Sequence, residues 1–415
     1  MQDRIIFHVD VNSAFLSWEA TERLKNQNDA VDLRQIPSAI GGDIKKRHGV
    51  ILSKSEPAKK YKVRTGEPIT DAMKKCPNLV LVPPNHFMYQ KYSDAFMEIL
   101  REYTPDVEQY SIDEAFMDMT GTELLWGEPV AAANRIREHI YQKLGFTVNI
   151  GISENKLLAK MASDFKKPNR THTLFKREIA EKMWPLPVGE LFSVGGATAK
   201  VLNDMGIYTI GQLAKTSPNF LRLHLKKQGE AIWAFANGID DSPVETEPEQ
   251  NKGYGNSTTI SFDVTEADVA KQVLLSLCET VSTRLRRNHV KAECISVEIK
   301  SSTFIKTSHQ RMLLSATNIT NEIYENSCEL FDELWDGSPI RLLGVSASHV
   351  VDESAPSQMQ MFAVKNYDKQ AKLDQAIDSI RGKYGVDSVK RAVFQKNQIN
   401  HISGKISKDH DEKWE

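Results

Sequence analysis

The first 165 residues alternate between strand-like and helix-like patterns of hydrophobic positions. Apolar runs typical of buried strands occupy 5–9, 116–119 and 146–151, and a helical pattern occupies 129–144. Asp10 comes directly after the first apolar run, and Asp113 and Glu114 come just before the second. This alternation predicts a small mixed sheet covered by helices, with acidic residues at the ends of two strands.

Beyond this region the pattern changes several times. Residues 185–240 look helical, an acidic, proline-containing stretch at 240–248 is typical of a linker, and residues 253–350 mix strands with helices. After Val351 come a second linker, a short apolar motif and an amphipathic helix near 368–384. With 415 residues, the chain exceeds the roughly 250–300 residues at which one hydrophobic core usually stops growing. We therefore expect an α+β multidomain protein.

Composition excludes several classes of protein. Hydrophobic residues make up 40% of the chain and charged residues 26%, and no run of about 18 apolar residues suggests a membrane span. The amino-terminal residues lack the pattern of a signal peptide, so we expect a cytoplasmic protein that does not bind membranes. The four cysteines lie far apart, which favours buried thiols over a disulfide framework or a zinc site.

Net charge gives no sign of nucleic-acid binding, but local charge does. The formal charge is −2 over the whole chain, whereas residues 43–75 carry ten basic and four acidic residues, and 284–311 carry seven and two. Either basic segment could contact phosphates or could be a solvated face, and taken singly the solvated face is favoured.

The acidic residues at the strand ends fit one kind of chemistry. Phosphoryl transfer to a 3′-hydroxyl uses two divalent ions about 3.5–4 Å apart, which carboxylates must bridge. Mg²⁺ retains several waters and takes only a few protein oxygens, so Asp10, Asp113 and Glu114 would suffice. Judged from spacing alone, surface acids at strand ends remain an equal alternative.

Three motifs decide between these interpretations. Residues 8–15 (His-Val-Asp-Val-Asn-Ser-Ala-Phe) and 110–116 (Tyr-Ser-Ile-Asp-Glu-Ala-Phe) resemble the two active-site motifs of the Y-family DNA polymerases. The third palm motif of that family is similar to the segments 151–156, 159–162 and 164–169. The resemblance covers about residues 4–350 and implies a right-hand polymerase architecture. The implied domains are a palm (1–18 and 78–165), fingers (19–77), a helical thumb (166–240), a linker (241–252), a little finger (253–350) and a carboxyl-terminal tail (351–415).

The resemblance also implies roles for individual residues. Asp10 and Asp113 would bind both of two Mg²⁺ ions, Glu114 would complete the catalytic site, and the main-chain carbonyl of Val11 would be a further ligand. Phe15 corresponds to the steric gate, a ring that clashes with a ribose 2′-hydroxyl. The other residues expected at the incoming dNTP are Ser53, Lys59 and Lys167.

The fingers depart from the family pattern. The segment 53–61 aligns with one that usually reads Asn-Tyr-x-Ala-Arg-Lys-Phe, and Glu56 replaces its Tyr while Lys59 replaces its Arg. A lysine keeps a positive charge for the triphosphate but loses the bidentate fork, and a carboxylate close by repels phosphate. We therefore predict that Glu56 turns away or pairs with Lys59 or Lys60.

Two kinds of DNA contact are implied. Gly195 and Gly196 lie in a segment similar to a helix-hairpin-helix, which aims backbone N–H groups at a phosphate, although Ser193 stands where a glycine is usual. In the little finger, the basic residues expected near the DNA backbone are Arg284, Arg286, Arg287, Lys300 and Lys306.

A short motif in the tail implies a protein partner. Residues 358–362 (Gln-Met-Gln-Met-Phe) resemble the pentapeptide that binds the bacterial sliding clamp. Met361 and Phe362 would fill an apolar pocket of the clamp, and the Gln358 amide would hydrogen-bond at its edge. A short packed strand is the alternative interpretation.

The predicted function is that of a low-fidelity, translesion DNA polymerase that uses Mg²⁺ and dNTP on primer-template DNA. We expect a monomer that binds the sliding clamp. One alternative is a non-catalytic, clamp-tethered DNA-binding scaffold descended from a polymerase. The reason to consider it is that Glu56 and Lys59 replace the usual Tyr and Arg of the fingers. A nucleotidyl cyclase or another two-metal palm enzyme is a second alternative, but it would leave the DNA-binding segments unexplained.

Overall fold

The structure is a computed structural model that describes residues 4–27, 30–42, 49–247, 250–355, 367–396 and 399–401. The chain forms two compact units, one within residues 4–247 and one from residue 250 onward. None of the helices in the described part of the chain has the length and apolar character needed to cross a membrane.

The first unit contains two sheets. Its strands are β1 (Ile6–Val11), β2 (Ser38–Gly41), β3 (Ile51–Lys54), β4 (Val80–Val82), β5 (Val107–Gln109), β6 (Glu114–Asp118), β7 (Val148–Ser153) and β8 (Thr171–Thr173). The larger sheet has the order β5-β6-β1-β7-β8 and is antiparallel except between β7 and β8. The smaller sheet has the order β3-β2-β4. Strand β1 is therefore a central strand with hydrogen-bonded neighbours on both sides.

Twelve helices surround these sheets in the described part of the first unit. They are α1 (Ala14–Asn26), α2 (Glu56–Lys60), α3 (Ile69–Lys75), α4 (His86–Arg101), α5 (Glu123–Trp126), α6 (Pro129–Leu144), α7 (Lys156–Ser163), α8 (Ile179–Lys182), α9 (Gly196–Asp204), α10 (Ile210–Lys215), α11 (Pro218–Leu225) and α12 (Lys227–Ala236). The last five pack around a second core, to which Leu157, Leu158, Met161 and Ala162 of α7 also contribute.

Alternation along β1 separates its two faces. Phe7, Val9 and Val11 pack into the largest core, which α1, α4 and α6 cover. The residues between them point to the opposite face, where Ile6 packs against Ala159 of α7. Asp10 belongs to this second face, so the sequence pattern that buries the strand also directs the acidic residue toward α7.

Two boundaries differ from the predicted domains. Strand β8 was expected in the thumb, but Thr171–Thr173 pairs in parallel with β7 and extends the larger sheet beyond residue 165. Part of the predicted linker contacts the same sheet region. The backbone carbonyl of Pro243 accepts a hydrogen bond from Lys156 at 3.2 Å, and Val244 packs against the cluster of Ile6.

The second unit is a four-stranded antiparallel sheet with helices packed against it. Its elements are β9 (Gly253–Val264), α13 (Ala267–Arg287), β10 (Val290–Ser301), β11 (Lys306–Thr317), α14 (Thr320–Leu334), β12 (Ile340–Asp352), α15 (Tyr367–Tyr384) and α16 (Val393–Lys396). The strand order is β11-β10-β12-β9. The mixture of strands and helices predicted for 253–350 is therefore confirmed.

The predicted tail contributes to this second unit. Phe394 and Ile399 are buried in its core. Ion pairs also attach α15 to α13, where Arg286 lies 3.1 Å from Asp374 and 2.6 Å from Asp378. Glu279 of α13 accepts hydrogen bonds from the two arginines of this region, Arg381 and Arg391. The predicted clamp motif, with Gln358, Met361 and Phe362, lies outside the described residues.

Gly151 generates a testable prediction about the contact between β7 and α7. A Cβ atom at this position would lie 1.9 Å from the carbonyl oxygen of Ala159 and 2.4 Å from the amide nitrogen of Ser163. Both are backbone atoms, so the helix would have to move. We expect Gly151→Ala to lower the free energy of unfolding by about 3 kcal/mol, measured by chemical denaturation.

Gly196→Ala is the matched control for this substitution. No atom lies within 4 Å of a Cβ built at Gly196, so its stability should change by less than about 1 kcal/mol. Equal stability of the Gly151→Ala variant and the parent protein would contradict the close packing of α7 on β7.

Candidate active site

Three acidic residues meet at one end of the larger sheet. Asp10 on β1 is paired with Glu114 on β6 in the antiparallel register. The amide of Val11 donates a hydrogen bond of 3.0 Å to the carbonyl oxygen of Asp113. Asp10, Val11 and Asp113 line a cleft of about 290 Å³. Strand pairing therefore brings together residues that are about a hundred positions apart in the chain.

Lysines accompany two of the three carboxylates. Lys167 Nζ lies 3.0 Å from Asp10 Oδ1 and 2.8 Å from Asp164 Oδ1. On the other side of the site, Lys160 Nζ lies 2.5 Å from Glu114 Oε2. These lysines offset part of the repulsion between acidic groups that are close together.

A buried histidine supports Glu114 from behind. His8 is fully buried, its Nδ1 lies 2.8 Å from Ser163 Oγ, and its Nε2 lies 3.4 Å from Glu114 Oε2. Ser163 in turn donates a hydrogen bond to the carbonyl oxygen of Lys160. Glu114 is thus held by side chains from β1 and from α7, which fixes the carboxylate relative to the sheet.

Burial separates the acidities of the three carboxyl groups. Removal from water raises the pKa of Asp10 to about 7, although Lys167 acts against this shift. Burial also raises the pKa of Asp113, against the effect of a hydrogen bond from Ser111. Burial acts in the same direction on Glu114, but hydrogen bonds from His8 and Lys160 outweigh it and hold its pKa at about 2. Glu114 is consequently the most acidic of the three groups.

The donor set suits a hard divalent cation. Carboxylate and carbonyl oxygens are the ligands that Mg²⁺ prefers, and Asp10, Val11, Asp113 and Glu114 supply only these. Among the described residues, no three acidic, histidine or cysteine side chains are already arranged as metal ligands. Because Lys167 contacts Asp10 Oδ1, a cation would compete with this lysine at Asp10, whereas Lys160 contacts Oε2 of Glu114 and leaves Oε1 for a cation.

The same cleft holds the residues expected at the nucleotide. Phe15, Ser53, Lys59 and Lys167 all line it. The Phe15 ring stacks on Tyr89 with 4.6 Å between ring centroids and 10° between planes. Since Tyr89 is fully buried, this stacking fixes the position of the Phe15 ring at the cleft wall.

The unusual fingers residues pair with each other. Glu56 Oε1 accepts a hydrogen bond from Lys59 Nζ, which is one of the arrangements predicted for Glu56. Both side chains line the cleft and are about half exposed. The charge of Lys59 is therefore offset by its neighbour, and the repulsion that Glu56 would exert on phosphate is reduced.

The helix-hairpin-helix segment adopts the expected turn. Gly195 is the N-cap of α9, and both Gly195 and Gly196 are exposed. Ser193 has a φ of 73°, the left-handed conformation that favours glycine, and its carbonyl oxygen accepts a hydrogen bond from Gln228. Serine thus adopts here the backbone conformation for which the family usually has glycine.

The basic residues of the second unit have different surroundings. Arg284 and Arg287 are exposed, and Lys300 lies 5.1 Å from the Phe304 ring centroid. Lys306 pairs with Glu298 at 2.6 Å. Arg286 differs from all of these, because its side chain is only 10% exposed and is bound by Asp374 and Asp378. Its expected contact with DNA is therefore replaced by a structural role, attaching α15 to α13.

Comparison with known proteins supplies the deciding observation. A family model described as the impB/mucB/samB family matches residues 9–164, the model of its C-terminal domain matches 251–361, and its HHH motif matches 176–207. DNA polymerase IV of Clostridium acetobutylicum is 48% identical over 391 residues, which cover 94% of this chain and 98% of the relative. The chain belongs to the impB/mucB/samB family of Y-family DNA polymerases.

Other relatives agree with this assignment. DNA polymerase IV 1 of Bacillus subtilis is 35% identical, with 97% of this chain and 96% of the relative covered. A solved Y-family DNA polymerase chimera covers 84% of this chain and 99% of its own with a TM-score of 0.73. At 22% identity this structural likeness concerns the fold alone.

The family assignment confirms several predictions. The α+β multidomain polymerase architecture and the class of translesion, DNA-directed DNA polymerase are confirmed. Members of this family are nucleotidyltransferases that need divalent metals, and they act on a DNA template with dNTP. None of the comparisons favours the non-catalytic scaffold.

Sequence reasoning missed residues that support this site. His8 was treated only as part of a strand motif, and Ser163 only as part of a helix. His8 could have been singled out because it is a polar residue within an apolar strand, and a buried polar side chain needs a partner. The sequence around His8 does not indicate that this partner is Ser163, 155 positions away.

The raised pKa of Asp10 generates a prediction about stability. The pKa is about 7 in the folded protein but about 3.9 in an unfolded chain. The folded state therefore binds the proton more readily, and stability is lost as the pH rises between these two values. We expect Asp10→Asn to stabilise the metal-free protein by about 2 kcal/mol at pH 8, measured by denaturant unfolding.

This gain should shrink toward zero below about pH 4, where the carboxyl is protonated in both states. Asp164→Asn is the control, because Asp164 is more than half exposed and should give no gain. A variant at Asp10 that is less stable than the parent at pH 8 would contradict the effect of burial on this group.

Proposed function

We propose that the chain extends a DNA primer by two-metal nucleotidyl transfer at Asp10, Asp113 and Glu114, with Mg²⁺ as the metal. The observation that carries this proposal is the meeting of these acidic residues on adjacent strands, beside a cleft lined by Phe15 and Lys167. A triphosphate and a primer end must be brought together at such a site. Membership of the family supports the reaction class, and the proximity of these residues supports their assignment to the site.

In this mechanism each residue has a distinct task. Two Mg²⁺ ions, when bound, would activate the primer 3′-hydroxyl and offset negative charge on the triphosphate. Asp10, Asp113 and the carbonyl of Val11 would hold them, and Glu114 would complete the site on the primer side. Lys160 and His8 keep the Glu114 carboxylate ionised and in place.

Lys167 has two successive partners in the proposal. It pairs with Asp10 and Asp164 in the protein without substrate, and its pKa is raised because these two carboxylates outweigh the effect of burial. If Asp10 served as a metal ligand, the Lys167 ammonium group would lose one of these partners and would be available to bind a phosphate of the incoming nucleotide.

The DNA is proposed to contact both units through its backbone. Gly195 and Gly196 would direct amide N–H groups at the start of α9 toward one phosphate. In the second unit, the basic residues proposed as phosphate contacts are Arg284, Arg287, Lys300 and Lys306. Such contacts make binding depend on salt and not on base sequence.

The domain organisation is part of the same proposal. Residues 1–18 and 78–165 would be the palm, to whose sheet β8 is added, 19–77 the fingers, 166–240 the thumb, 241–252 the linker, 253–350 the little finger and 351–415 the tail. We propose that the protein acts as a monomer in the cytoplasm and that Gln358, Met361 and Phe362 bind the bacterial sliding clamp. The support for the clamp is the motif itself, which follows the last polymerase domain.

Primer extension tests the central proposal. We expect Asp113→Asn and Glu114→Gln each to lower the single-nucleotide extension rate by about three orders of magnitude or more, equivalent to about 4 kcal/mol in the activation barrier. Affinity for primer-template DNA should stay within about twofold, because backbone contacts lie elsewhere. Fluorescence anisotropy of labelled DNA measures this affinity.

Asp118→Asn is the matched control for these substitutions. Asp118 lies on the same strand β6 but at its far end, four residues from Glu114, and extension should remain near the parent rate. Substantial extension by both the Asp113 and the Glu114 variants would overturn the assignment of the site.

Sugar discrimination tests the role of Phe15. Phe15→Ala removes the ring at the cleft wall, so the preference for dNTP over rNTP should fall by about tenfold to hundredfold in single-nucleotide kinetics. Phe87→Ala is the control, because this phenylalanine is 74% exposed and should leave the preference unchanged. Unaltered discrimination in the Phe15 variant would show that another side chain crowds the sugar.

A further inference from the structure

Three lysines line the cleft, and they differ in their partners. Lys167 pairs with Asp10 and Asp164, and Lys59 pairs with Glu56. Lys54 donates a hydrogen bond of 3.1 Å to the hydroxyl of Thr65. It has no carboxylate at ion-pair distance among the residues that the structure describes. Lys54 is therefore the lysine of this cleft whose charge is least offset by a direct partner.

The position of Lys54 is fixed by the small sheet. It is the last residue of β3, and its backbone pairs with Ala39 of β2. Ser53, the preceding residue, is buried and also lines the cleft. Pairing with β2 holds the backbone at the strand end, where the next amide, of Ser55, also donates to the carbonyl oxygen of Ser38, so little backbone ordering is needed for Lys54 to meet a ligand in the cleft.

The electrostatic surroundings of Lys54 favour an anion. Burial and the positive charge of Lys59 lower the pKa of Lys54, and they outweigh the opposite effect of the more distant carboxylates of Glu56 and Glu67. The ammonium group of Lys54 is therefore partly desolvated and lies near another cation. A bound anion would relieve this unfavourable situation, as it would for any cation placed among like charges.

The nature of the anion follows from what the cleft contains. In the proposed function, the carboxylates at one end of the cleft bind metals next to the reacting phosphate. Phe15 lies at the wall of the same cleft. The fingers lack both the tyrosine and the arginine that grip a triphosphate in similar proteins, because Glu56 and Lys59 occupy those positions. With Lys59 held by Glu56, the cleft needs another cation for a substrate that carries three to four negative charges.

We propose that Lys54 is a triphosphate-binding residue, which takes over the contact that the arginine of this segment makes in other members of the family. This inference rests on the proposed function of the cleft. Lys54 donates to phosphate oxygens as a point charge, and the exchange of Thr65 for phosphate accompanies nucleotide entry. The Glu56–Lys59 pair stays at the rim, where it lessens repulsion between Glu56 and the substrate.

Nucleotide binding without chemistry tests the proposal. The full-length protein is bound to a primer-template with a dideoxy-terminated primer and titrated with the next correct dNTP in Mg²⁺, and calorimetry gives the Kd. We expect Lys54→Met to weaken binding about tenfold, because a charge-assisted hydrogen bond is lost at a partly exposed site. Lys54→Arg should restore most of the affinity, since it returns the positive charge.

Lys60→Met is the matched control. Lys60 is exposed and carries the same charge only six residues after Lys54, but it does not line the cleft. Its removal should leave the Kd within about twofold, because its charge is screened by solvent. If both lysine variants weaken binding equally, only general electrostatic attraction is at work and the proposal is wrong.

The kinetic parameters provide a second measurement. In primer extension, Lys54→Met should raise KM for dNTP about tenfold with a much smaller change in kcat, and affinity for DNA should not change. Lys54→Gln is tested alongside, in case the apolar side chain unfolds the fingers, which thermal melting detects. Unchanged Kd and KM in the folded variant would overturn the role of Lys54.

The proposal and the proposed function fail in different ways. A parent protein that neither extends primers nor binds dNTP would overturn the polymerase assignment of the cleft. A parent protein that extends primers normally, with Lys54 variants that match it in Kd and KM, would overturn the role of Lys54 alone.

Discussion

Burial of carboxylates that lie close together is the physical constraint on which the site depends. Pairing of β1 with β6 sets Asp10 beside Glu114, and removal from water disfavours the ionised form of both groups, which nearby cations oppose. Lys167 and Lys160 provide these cations, from the two ends of the region around α7. The close contact of α7 with Gly151 in turn fixes where Lys160 stands. The packing of α7 on β7 therefore determines where the positive charge of Lys160 lies relative to Glu114.

This arrangement links stability with activity. The protein keeps Asp10 in a setting that raises its pKa to about 7, so the ionised form destabilises the folded chain at neutral pH. A metal that binds the carboxylate would remove this disadvantage. Without a bound cation, the site therefore lowers the stability of the folded protein. Binding sites commonly show this trade-off between stability and function.

Local patterns sufficed to predict much of the fold. Helix α6 begins at Pro129 and ends before Gly145, whose left-handed conformation terminates it, and both signals can be read in the sequence. The motif around Asp113 could be interpreted locally too, because its carboxylates are of the residue types that bind Mg²⁺. Contacts that depend on distant segments could not be predicted in this way. The partner of Arg286 on α15, about ninety positions away, is one case, and the contact of His8 on β1 with Ser163 on α7, 155 positions away, is a second.

The docking of α15 makes the second unit depend on residues that follow its last strand. Strand β12 ends at Asp352, and α15 begins at Tyr367 and is held to α13 by ion pairs. Arg286 and Glu279 of α13 are largely buried, and their partners Asp374, Asp378, Arg381 and Arg391 all lie beyond residue 366. A protein shortened after β12 would keep two buried charges without partners, which is strongly destabilising, so the second unit should not be cut at the end of its sheet.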